Sequence, residues 1–238
     1  MAIGLRSIIK IFEKGNTCVT GLRGDGKDML IANVVSRRSL PYSSNVDYGG
    51  EFISFDPSVL SCGGNTYKHF LNNDCLRYSF PYCDGTDIYI SDAGVYFPSQ
   101  YCSELNRLYP HFPTFFALSR HLGLCNVHIN VQNLNRCWDK IREQSDQYIR
   151  CLGCRVLGGY VFQRVRLYDK YESCVDRVKP FRVNMPLIGS GATRYQVRLA
   201  RDQYEATHGR IKDKILIYKN KSSYDTRIFK RMLEEGKE

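Results

Sequence analysis

The stretch of sequence that decides the fold is TCVTGLRGDGKDMLIANVVSRR, residues 17–38. Its first five residues, TCVTG, have the short apolar pattern of a buried strand, and MLIANVVSRR at residues 29–38 is predicted to form a helix. Between them, GLRGDGKD fits the pattern G-x-x-x-x-G-K. Glycines at this spacing let successive backbone N–H groups point at a phosphate, and the lysine reaches the same group. The stretch therefore predicts a phosphate-binding loop between a strand and a helix.

The residues that we expect to contact a bound nucleotide are consecutive along this loop: Gly21, Leu22, Arg23, Gly24, Asp25, Gly26, Lys27, Asp28 and Met29. The alternative is a glycine-rich turn in which Asp28 caps the following helix, as Asp does well. The pattern normally continues with Ser or Thr, whose hydroxyl binds Mg²⁺, and Asp28 replaces it. A carboxylate binds Mg²⁺ but repels phosphates, so we expect nucleotide affinity to be weaker, or more dependent on metal, than a standard loop provides.

A second acidic residue follows a strand predicted over residues 87–91. P-loop nucleoside triphosphatases hold Mg²⁺ with an acid at the end of a neighbouring strand, and Asp92 is the candidate. Its alternative role is a helix cap at the strand end. Many such ATPases have a catalytic Glu at the next position, which is Ala93 here. The metal-holding residue is thus present, the usual base is missing, and Glu104 is a candidate replacement.

A third predicted strand, residues 125–131, is followed by Gln132 and Asn133. An amide at that strand end can sense the γ-phosphate or orient water, and it can equally be an ordinary strand-to-loop amide. Several arginines surround this strand, and in a ring assembly one of them would act as an arginine finger on a neighbour's phosphate. Taken singly, each is better explained as a surface charge: Arg120, Arg136, Arg142 and Arg150.

The order of predicted elements indicates an α/β domain with a mainly parallel sheet flanked by helices. Further strands are predicted at 51–55 and near Val46, and further helices near 69–71 and at 99–108, 113–121 and 136–150. Beyond residue 155 the pattern changes, because residues 156–178 alternate as in an antiparallel hairpin and 223–236 resemble a terminal helix. We therefore predict a P-loop domain at residues 1–160 and a small, basic, β-rich C-terminal region at 161–238.

The formal charge of the 238-residue chain is +10, and its last third holds most of the excess. Lys and Arg number 17 against 14 Asp and Glu in residues 1–165, and 17 against 10 in residues 166–238. This bias favours either a polyanionic partner or a solvated basic surface. No apolar run is long enough for a membrane span, and charges interrupt the N-terminal stretch, so neither a transmembrane segment nor a signal peptide is expected.

Ten cysteines then need an explanation other than disulfides. Only Cys151 and Cys154 form a CxxC pair, and no second pair follows at zinc spacing, so neither a structural zinc nor a redox motif is favoured.

Three stretches together resemble the Zot (zonular occludens toxin-like) family of filamentous, inovirus-type phages: TGLRGDGKDMLIANVV, DIYISDAGVYFPS and LSRHLGLCNVHINVQNLNRCWDKIREQSDQYIRC. The resemblance covers about residues 1–155 and implies a P-loop ATPase of the FtsK/HerA type. It implies ATP and Mg²⁺ as ligands, with Gly21, Gly24, Gly26, Lys27 and Asp28 as the Walker A loop. The catalytic residues that it implies are Lys27, Asp92, Gln132 and Arg120, and the metal ligands are Asp28 and Asp92.

The family's role implies assembly and extrusion of single-stranded DNA phage particles at the host inner membrane. The expected partners are single-stranded DNA, phage coat or export proteins and further copies of the chain in a ring. Familiar members carry a transmembrane segment and a periplasmic tail after the ATPase domain, and this chain shows neither. We therefore expect a place in the host cytoplasm, with peripheral membrane contact through the basic C-terminal region or a separate partner.

Three functions fit these observations. The first is a phage-assembly motor that couples ATP turnover to movement of DNA or coat protein. The second, motivated by Ala93 and Asp28, is a nucleotide-binding scaffold that no longer hydrolyses ATP. The third is a small-molecule kinase, which would need an arginine-rich lid that the basic tail does not resemble.

Overall fold

The computed structural model describes residues 4–38, 40–49, 52–54, 86–108, 126–182 and 194–221. Within these ranges the strands are β1 Thr17–Thr20, β2 Tyr42–Ser44, β3 Phe52–Ser54, β4 Asp87–Ile90, β5 Val127–Val131, β6 Gln147–Leu157, β7 Tyr160–Tyr168 and β8 Ile211–Lys219. The α-helices are α1 Leu5–Lys14, α2 Lys27–Arg38, α3 Ala93–Tyr96, α4 Cys102–Leu108, α5 Asp139–Arg142, α6 Tyr171–Val175 and α7 Arg194–His208.

The eight described strands form one sheet in the order β3-β2-β4-β5-β1-β6-β7-β8. The first six strands of this order, from β3 through β6, pair in parallel. Strand β7 then pairs antiparallel with β6, and β8 pairs antiparallel with β7. Strand β1 is central and fully buried between β5 and β6. The buried apolar residues divide into two clusters, one that includes α1 and α2 and one that includes α3 and α5. The predicted α/β fold, a mainly parallel sheet flanked by helices, is confirmed.

Helix α1 was not predicted from the sequence. Leu5, Ile8 and Phe12 are buried, and their spacing of three and four residues gives one apolar stripe. Arg6 and Lys10 are exposed and lie outside this stripe. The stripe packs on the cluster that also contains α2, so α1 covers one face of the sheet.

The prediction of a helix over residues 136–150 is wrong. A 3₁₀ turn at Leu134–Arg136 and the four-residue helix α5 are followed by β6, which begins at Gln147. Trp138 is buried, and its backbone N–H donates to the Phe97 carbonyl at 2.8 Å. Tyr148 and Ile149 pair with β1, so their apolar side chains belong to a central strand and not to a helix face. Cys151 and Cys154 consequently lie in β6, not after a helix.

The predicted hairpin is confirmed only in its first part. β6 and β7 are joined by Gly158 and Gly159, whose φ angles of 56° and 77° are those of a tight hairpin turn. After Tyr168 the chain enters α6, and β8 later pairs with β7. The domain boundary that we predicted between residues 160 and 161 falls inside β7, directly after its first residue, so the division into two regions stays a prediction.

Other sequence predictions have varied outcomes. The strands at 17–21, 51–55, 87–91 and 125–131 and the helices at 29–38 and 99–108 are present, the last as a 3₁₀ turn followed by α4. The extended piece lies at β2, just before Val46. The predictions near 69–71, at 113–121 and at 223–236, together with Arg120, lie outside the described residues.

Candidate phosphate-binding site

The loop between β1 and α2 has the backbone that its glycines predict. Gly24 and Gly26 have φ angles of +88° and +82°, which side chains other than glycine rarely adopt. The loop closes on itself, because the Leu22 N–H donates to the Asp25 carboxylate at 2.7 Å and the Asp25 N–H donates to the Leu22 carbonyl at 3.2 Å. Asp25 therefore braces the turn from within.

Two glycines also let the loop lie directly against β6. A Cβ atom on Gly21 would stand 2.9 Å from the carbonyl oxygen of Cys151. One on Gly26 would stand 2.5 Å from Cβ and 2.9 Å from Sγ of Cys154. Among the described residues, no atom lies within 4 Å of the corresponding position on Gly24. The glycines of the motif thus serve two needs, close packing at the ends of the loop and conformation at its tip.

Lys27 is the first residue of α2, and its N-terminal position puts it where backbone N–H groups converge. The residue is only 5% exposed, although lysine is rarely buried without a partner. Burial raises the pKa of both Asp92 and Cys151, and the Lys27 charge opposes that rise, so Lys27 acts on the acid after β4 and on the strand behind the loop. Leu22, Arg23 and Gly24 are exposed at the loop tip.

Asp28 does not act as a helix cap. Its Oδ1 accepts hydrogen bonds from the side chains of Asn130 at 2.6 Å, Ser91 at 3.4 Å and Tyr48 at 3.4 Å. Three elements thus hold the carboxylate in place: β5, the end of β4 and the segment after β2. These contacts do not support the interpretation of Asp28 as a helix cap. Met29, the next residue on α2, is half-buried.

Asp92 lies at the carboxyl end of β4, close to Asp28. β4 is separated from β1 by β5, so its strand is the second along the sheet from the phosphate loop and not the immediate neighbour that we expected. Asp92 has a left-handed backbone, with φ 48° and ψ 46°, and its side chain makes no capping hydrogen bond to α3. Burial and the like charge of Asp28 raise the pKa of Asp92, while Lys27 and a hydrogen bond with Gln132 oppose the rise.

The amides after β5 have different roles. Gln132 is exposed, opposes the rise in the pKa of Asp92 and lines the same cleft as Asp92, so it faces the site. Asn133 instead accepts a hydrogen bond from the Asn135 N–H at 3.1 Å and caps the 3₁₀ turn. Parallel strands end at the same edge of a sheet, which is why residues from β1, β4 and β5 meet here.

A cleft of about 390 Å³ opens at this edge, lined by Leu22, Asp92, Gly94, Val95, Gln132, Asn133 and Arg136. A smaller recess of about 110 Å³ beside it includes Thr20, Arg150 and Arg177. Arg142 faces elsewhere, donating to the carbonyls of Leu134 and Cys137. Of the candidate arginines in the described ranges, Arg136 and Arg150 therefore lie near the loop.

Ala93 is fully buried at the start of α3, and Glu104 is exposed on α4 and does not line the cleft. The described residues therefore bring Lys27, Asp28, Asp92 and Gln132 together but place no Glu beside them.

The donor set fits Mg²⁺ in its chemistry. This ion is commonly bound by one or two carboxylates together with substrate phosphates. Asp28 and Asp92 are near enough for the charge of one to raise the pKa of the other, and a cation between them would relieve that repulsion. No group of three or more His, Cys, Asp or Glu side chains that could hold a metal occurs within the described ranges. Phosphate oxygens or water would have to complete the ligand sphere.

Sequence reasoning missed several residues that shape the site: Tyr48, Ser91, Asn130, Cys154 and Gln163. Asn130 is a polar residue in the buried strand β5 and is 1% exposed. Gln163 is likewise a buried polar residue in the middle of β7. A polar side chain inside a buried strand requires a partner, and that was the available signal.

The strand order, the loop after β1, and the acid and amide that follow β4 and β5 define an α/β fold of the P-loop NTPase class. No protein-family model and no curated protein matches the chain. Among solved structures it resembles the N-terminal domain of zonular occludens toxin from Neisseria meningitidis, with 12% identity over 68% of this chain and 90% of that one (TM-score 0.44).

Two other similar structures are viral and bacterial. The genome packaging NTPase B204 from Sulfolobus turreted icosahedral virus 2, in complex with AMP, has 12% identity over 64% of this chain and 91% of that one (TM-score 0.39). EssC (ATPases 2 and 3) from Geobacillus thermodenitrificans has 10% identity over 94% of this chain and 43% of that one (TM-score 0.44). All three are distant, so the interpretation of the site depends on the contacts within this chain.

Proposed function

We propose that this chain binds ATP with Mg²⁺ at the β1–α2 loop. The single observation that carries the proposal is the buried Lys27 at the start of α2, beside the Asp28–Asp92 pair. The loop amides and Lys27 would hold the phosphates, and Asp28 and Asp92 would hold the metal, which neutralises phosphate charge when it is bound. Leu22, Gln132 and Arg136 line the cleft in which the rest of the nucleotide would lie.

The proposed activity is ATP hydrolysis in the assembly or extrusion of a single-stranded DNA filamentous phage. Gln132 is the residue of this site that could orient water, because it is exposed and lines the same cleft as Asp92. A glutamine has this role in some P-loop GTPases. The resemblance in the sequence supports the phage role, together with a ring of copies in the host cytoplasm that contacts coat or export proteins and, peripherally, the inner membrane. Arg120 remains a proposed member of the site. No helix within the described ranges combines the length and the apolar character that a membrane crossing requires.

A second candidate function is a nucleotide-binding scaffold without turnover. Ala93 is buried where the usual base would stand, and Glu104 does not reach the cleft. ATP would then stabilise one arrangement of the loop and its neighbours without being consumed.

A single-stranded DNA contact is favoured by the outer face of β6–β8. Tyr160 and Phe162 are 42% and 40% exposed. Directly paired residues share a face of the sheet, so Lys219 stands beside Tyr160 and Arg155 beside Phe162. Arg164 follows on the same face. Exposed aromatic rings among basic side chains suit stacked bases and a phosphate backbone.

The decisive experiment measures ATP binding by titration calorimetry and phosphate release with and without single-stranded DNA. Lys27→Ala should weaken ATP binding by about 100-fold or more, because it removes the charge-assisted contacts to the phosphates. Unchanged affinity in Lys27→Ala would refute the site. DNA-stimulated release of phosphate would support the motor, and binding without turnover would support the scaffold.

The DNA face has its own test. Phe162→Ala and Tyr160→Ala should each weaken DNA binding, whereas Tyr195→Ala, which removes an exposed ring on α7, should not. Affinity should fall steeply with salt. Equal effects of all three substitutions, or binding that is insensitive to salt, would count against this face.

A further inference from the structure

Gln163 holds the back of the phosphate loop. It lies on β7, is 1% exposed, and its Nε2 donates to the carbonyl oxygens of Gly26 at 2.9 Å and Asp25 at 3.2 Å. Both acceptors belong to the loop, 137 and 138 residues earlier in the chain. The contact joins the antiparallel part of the sheet to the loop that precedes α2.

These two hydrogen bonds set the direction of two backbone N–H groups. A trans peptide is planar, and its C=O and N–H point in opposite directions. The Asp25 carbonyl shares a peptide plane with the Gly26 N–H, and the Gly26 carbonyl shares one with the Lys27 N–H. Because Gln163 draws both carbonyls toward β7, the N–H groups of Gly26 and Lys27 point the other way, to the side of the loop away from the sheet extension. A phosphate on that side would meet them already aligned.

Tyr218 holds Gln163 in turn. The Tyr218 hydroxyl, on β8, donates to Oε1 of Gln163 at 2.9 Å, and both side chains are buried. Since the amide oxygen is occupied by Tyr218, the NH₂ group faces the loop. The guanidinium of Arg37, on α2, lies 5.5 Å from the centre of the Tyr218 ring and donates to the Lys219 carbonyl. The helix that begins at the loop therefore packs at its far end on the same strand that anchors Gln163.

We propose that Gln163, supported by Tyr218, is a positioning residue that preorganises the phosphate loop for its ligand. This rests on the proposed nucleotide site. The alternative is that the pair only satisfies buried polar groups and stabilises the fold. Preorganisation differs from that role in one respect: it affects the phosphates that the aligned N–H groups contact and not the rest of the nucleotide.

The test compares three variants of the full chain. Gln163→Met keeps the length and removes the amide, Tyr218→Phe removes only the hydroxyl, and Val165→Ala is the matched control. Val165 is the next residue on the same face of β7, is fully buried and belongs to the cluster behind the loop, so truncating it costs stability without removing a loop contact. Unfolding free energies are measured first, so that binding can be compared at known stability.

We expect Gln163→Met to weaken binding of Mg²⁺-ATP by about 10-fold, the effect of losing one to two net hydrogen bonds. Tyr218→Phe should have a smaller effect in the same direction, and Val165→Ala should stay within about twofold. Binding of AMP, which lacks the β- and γ-phosphates, should change little in any variant. If Gln163→Met and Val165→Ala weaken ATP binding equally, or if AMP and ATP are affected alike, the positioning role is overturned.

A measurement without nucleotide separates this proposal from the proposed function. The Leu30 N–H donates to the Gly26 carbonyl at 2.9 Å, so its hydrogen exchange reports whether that carbonyl is held. Exchange should be faster in Gln163→Met and Tyr218→Phe than in Val165→Ala. Faster exchange in a chain that does not bind ATP would keep the positioning of the loop and refute the nucleotide site. Equal exchange in all three variants would overturn the positioning itself.

Discussion

The side-chain amide of Asn130 donates a hydrogen bond of 2.6 Å to the carboxylate of Asp28. It joins the middle of the buried strand β5 to the first turn of α2, and Ser91 and Tyr48 donate to the same carboxylate oxygen. The position that carries a hydroxyl in the standard loop pattern therefore holds an anion with its own set of donors. Those donors explain how a carboxylate is accommodated next to the proposed phosphate site.

Asp28→Asn should change how strongly nucleotide binding depends on metal. If Asp28 holds the metal as proposed, removing its charge reduces repulsion of the phosphates and also removes the proposed ligand for Mg²⁺. We expect ATP affinity in the presence of a chelator to rise several-fold and the gain from added Mg²⁺ to shrink. Titration calorimetry with Mg²⁺ and with chelator measures both. Asp25→Asn is the matched control, because that carboxylate braces the loop through the Leu22 N–H. An unchanged Mg²⁺ effect in Asp28→Asn would exclude it as a metal ligand.

Asp92→Asn should stabilise the protein at neutral pH. Burial, then the charge of Asp28, raise the pKa of Asp92 above its unfolded value, so the folded state disfavours the charged form. Stability from this group is present below the unfolded pKa and is lost as the pH rises through the folded pKa. The Asn variant avoids that loss and tolerates the left-handed backbone. Its melting temperature should exceed that of the wild type by a few degrees near pH 7, and the difference should vanish at acid pH.

NMR spectroscopy can test whether the charge of Asp28 raises the pKa of Asp92. In Asp28→Asn the pKa of Asp92, followed by carboxyl NMR, should fall toward its ordinary value because the like charge has gone. If it stays raised to the same degree, burial alone is the cause, and the two carboxylates do not interact.

The part of the site that could be predicted from sequence is the part that is local in sequence. The loop needs glycines at fixed spacing because each answers a backbone or packing requirement within eight residues, and a strand and a helix flank it directly. Asp92 and Gln132 were predictable because parallel strands end at one edge. Asn130 and Gln163 were not, because their partners lie 102 and 137 residues away and depend on the order of the strands.

The main error in the predicted fold, the helix at residues 136–150, has a similar cause. A helical period fits the spacing of four apolar residues, Trp138, Ile141, Tyr148 and Ile149. The period alone does not show whether a strand elsewhere in the sheet has an edge available for pairing. β1 has an open edge beyond β5, and Tyr148 and Ile149 fill it as part of β6. For α1 the error was a missed helix. A short amphipathic stretch is marginal as an isolated helix, and this one is stabilised by packing on the sheet.

Substitution by alanine should destabilise the protein by different amounts at two glycines of the loop with positive φ, Gly24 and Gly26. The new Cβ of Gly24→Ala meets no atom of the described part of the chain within 4 Å, but the residue is strained at φ +88°, which should cost about 1 kcal/mol of unfolding free energy. Gly26→Ala has the same backbone strain and also drives a Cβ to 2.5 Å from Cβ of Cys154, so its cost should be larger, about 2 kcal/mol or more. Urea denaturation measures both values.

A double variant separates the two contributions at Gly26. Cys154→Gly removes the two atoms nearest to the new Cβ, so adding it to Gly26→Ala should recover most of the steric part. The backbone part and the 3.0 Å approach of the new Cβ to Nε2 of Gln163 remain. The recovered amount is judged against the cost of Cys154→Gly alone. Strictly additive costs would show that the loop shifts away from β6 and that packing does not require glycine at this position.

His128 should make stability depend on pH at the opposite end of the sheet. It is fully buried between the rings of Phe12 and Tyr89, each 4.7 Å away, and its Nε2 lies 3.6 Å from Oδ2 of Asp87. Burial lowers the pKa of His128, and the Arg38 charge adds to this, while Asp87 opposes it. A histidine with a lowered folded pKa contributes stability that is present above the unfolded pKa and is lost as the pH falls below it.

The unfolding free energy should therefore drop between about pH 7.5 and pH 5.5, the range around the ordinary pKa of histidine. His128→Gln cannot gain a proton, so its dependence on pH over that range should be weaker than that of the wild type. His208→Gln, at the end of α7, is the matched control and should keep the wild-type dependence. Chemical denaturation at a series of pH values decides the matter: if His128→Gln and the wild type lose stability in parallel, the buried imidazole is not the group that titrates.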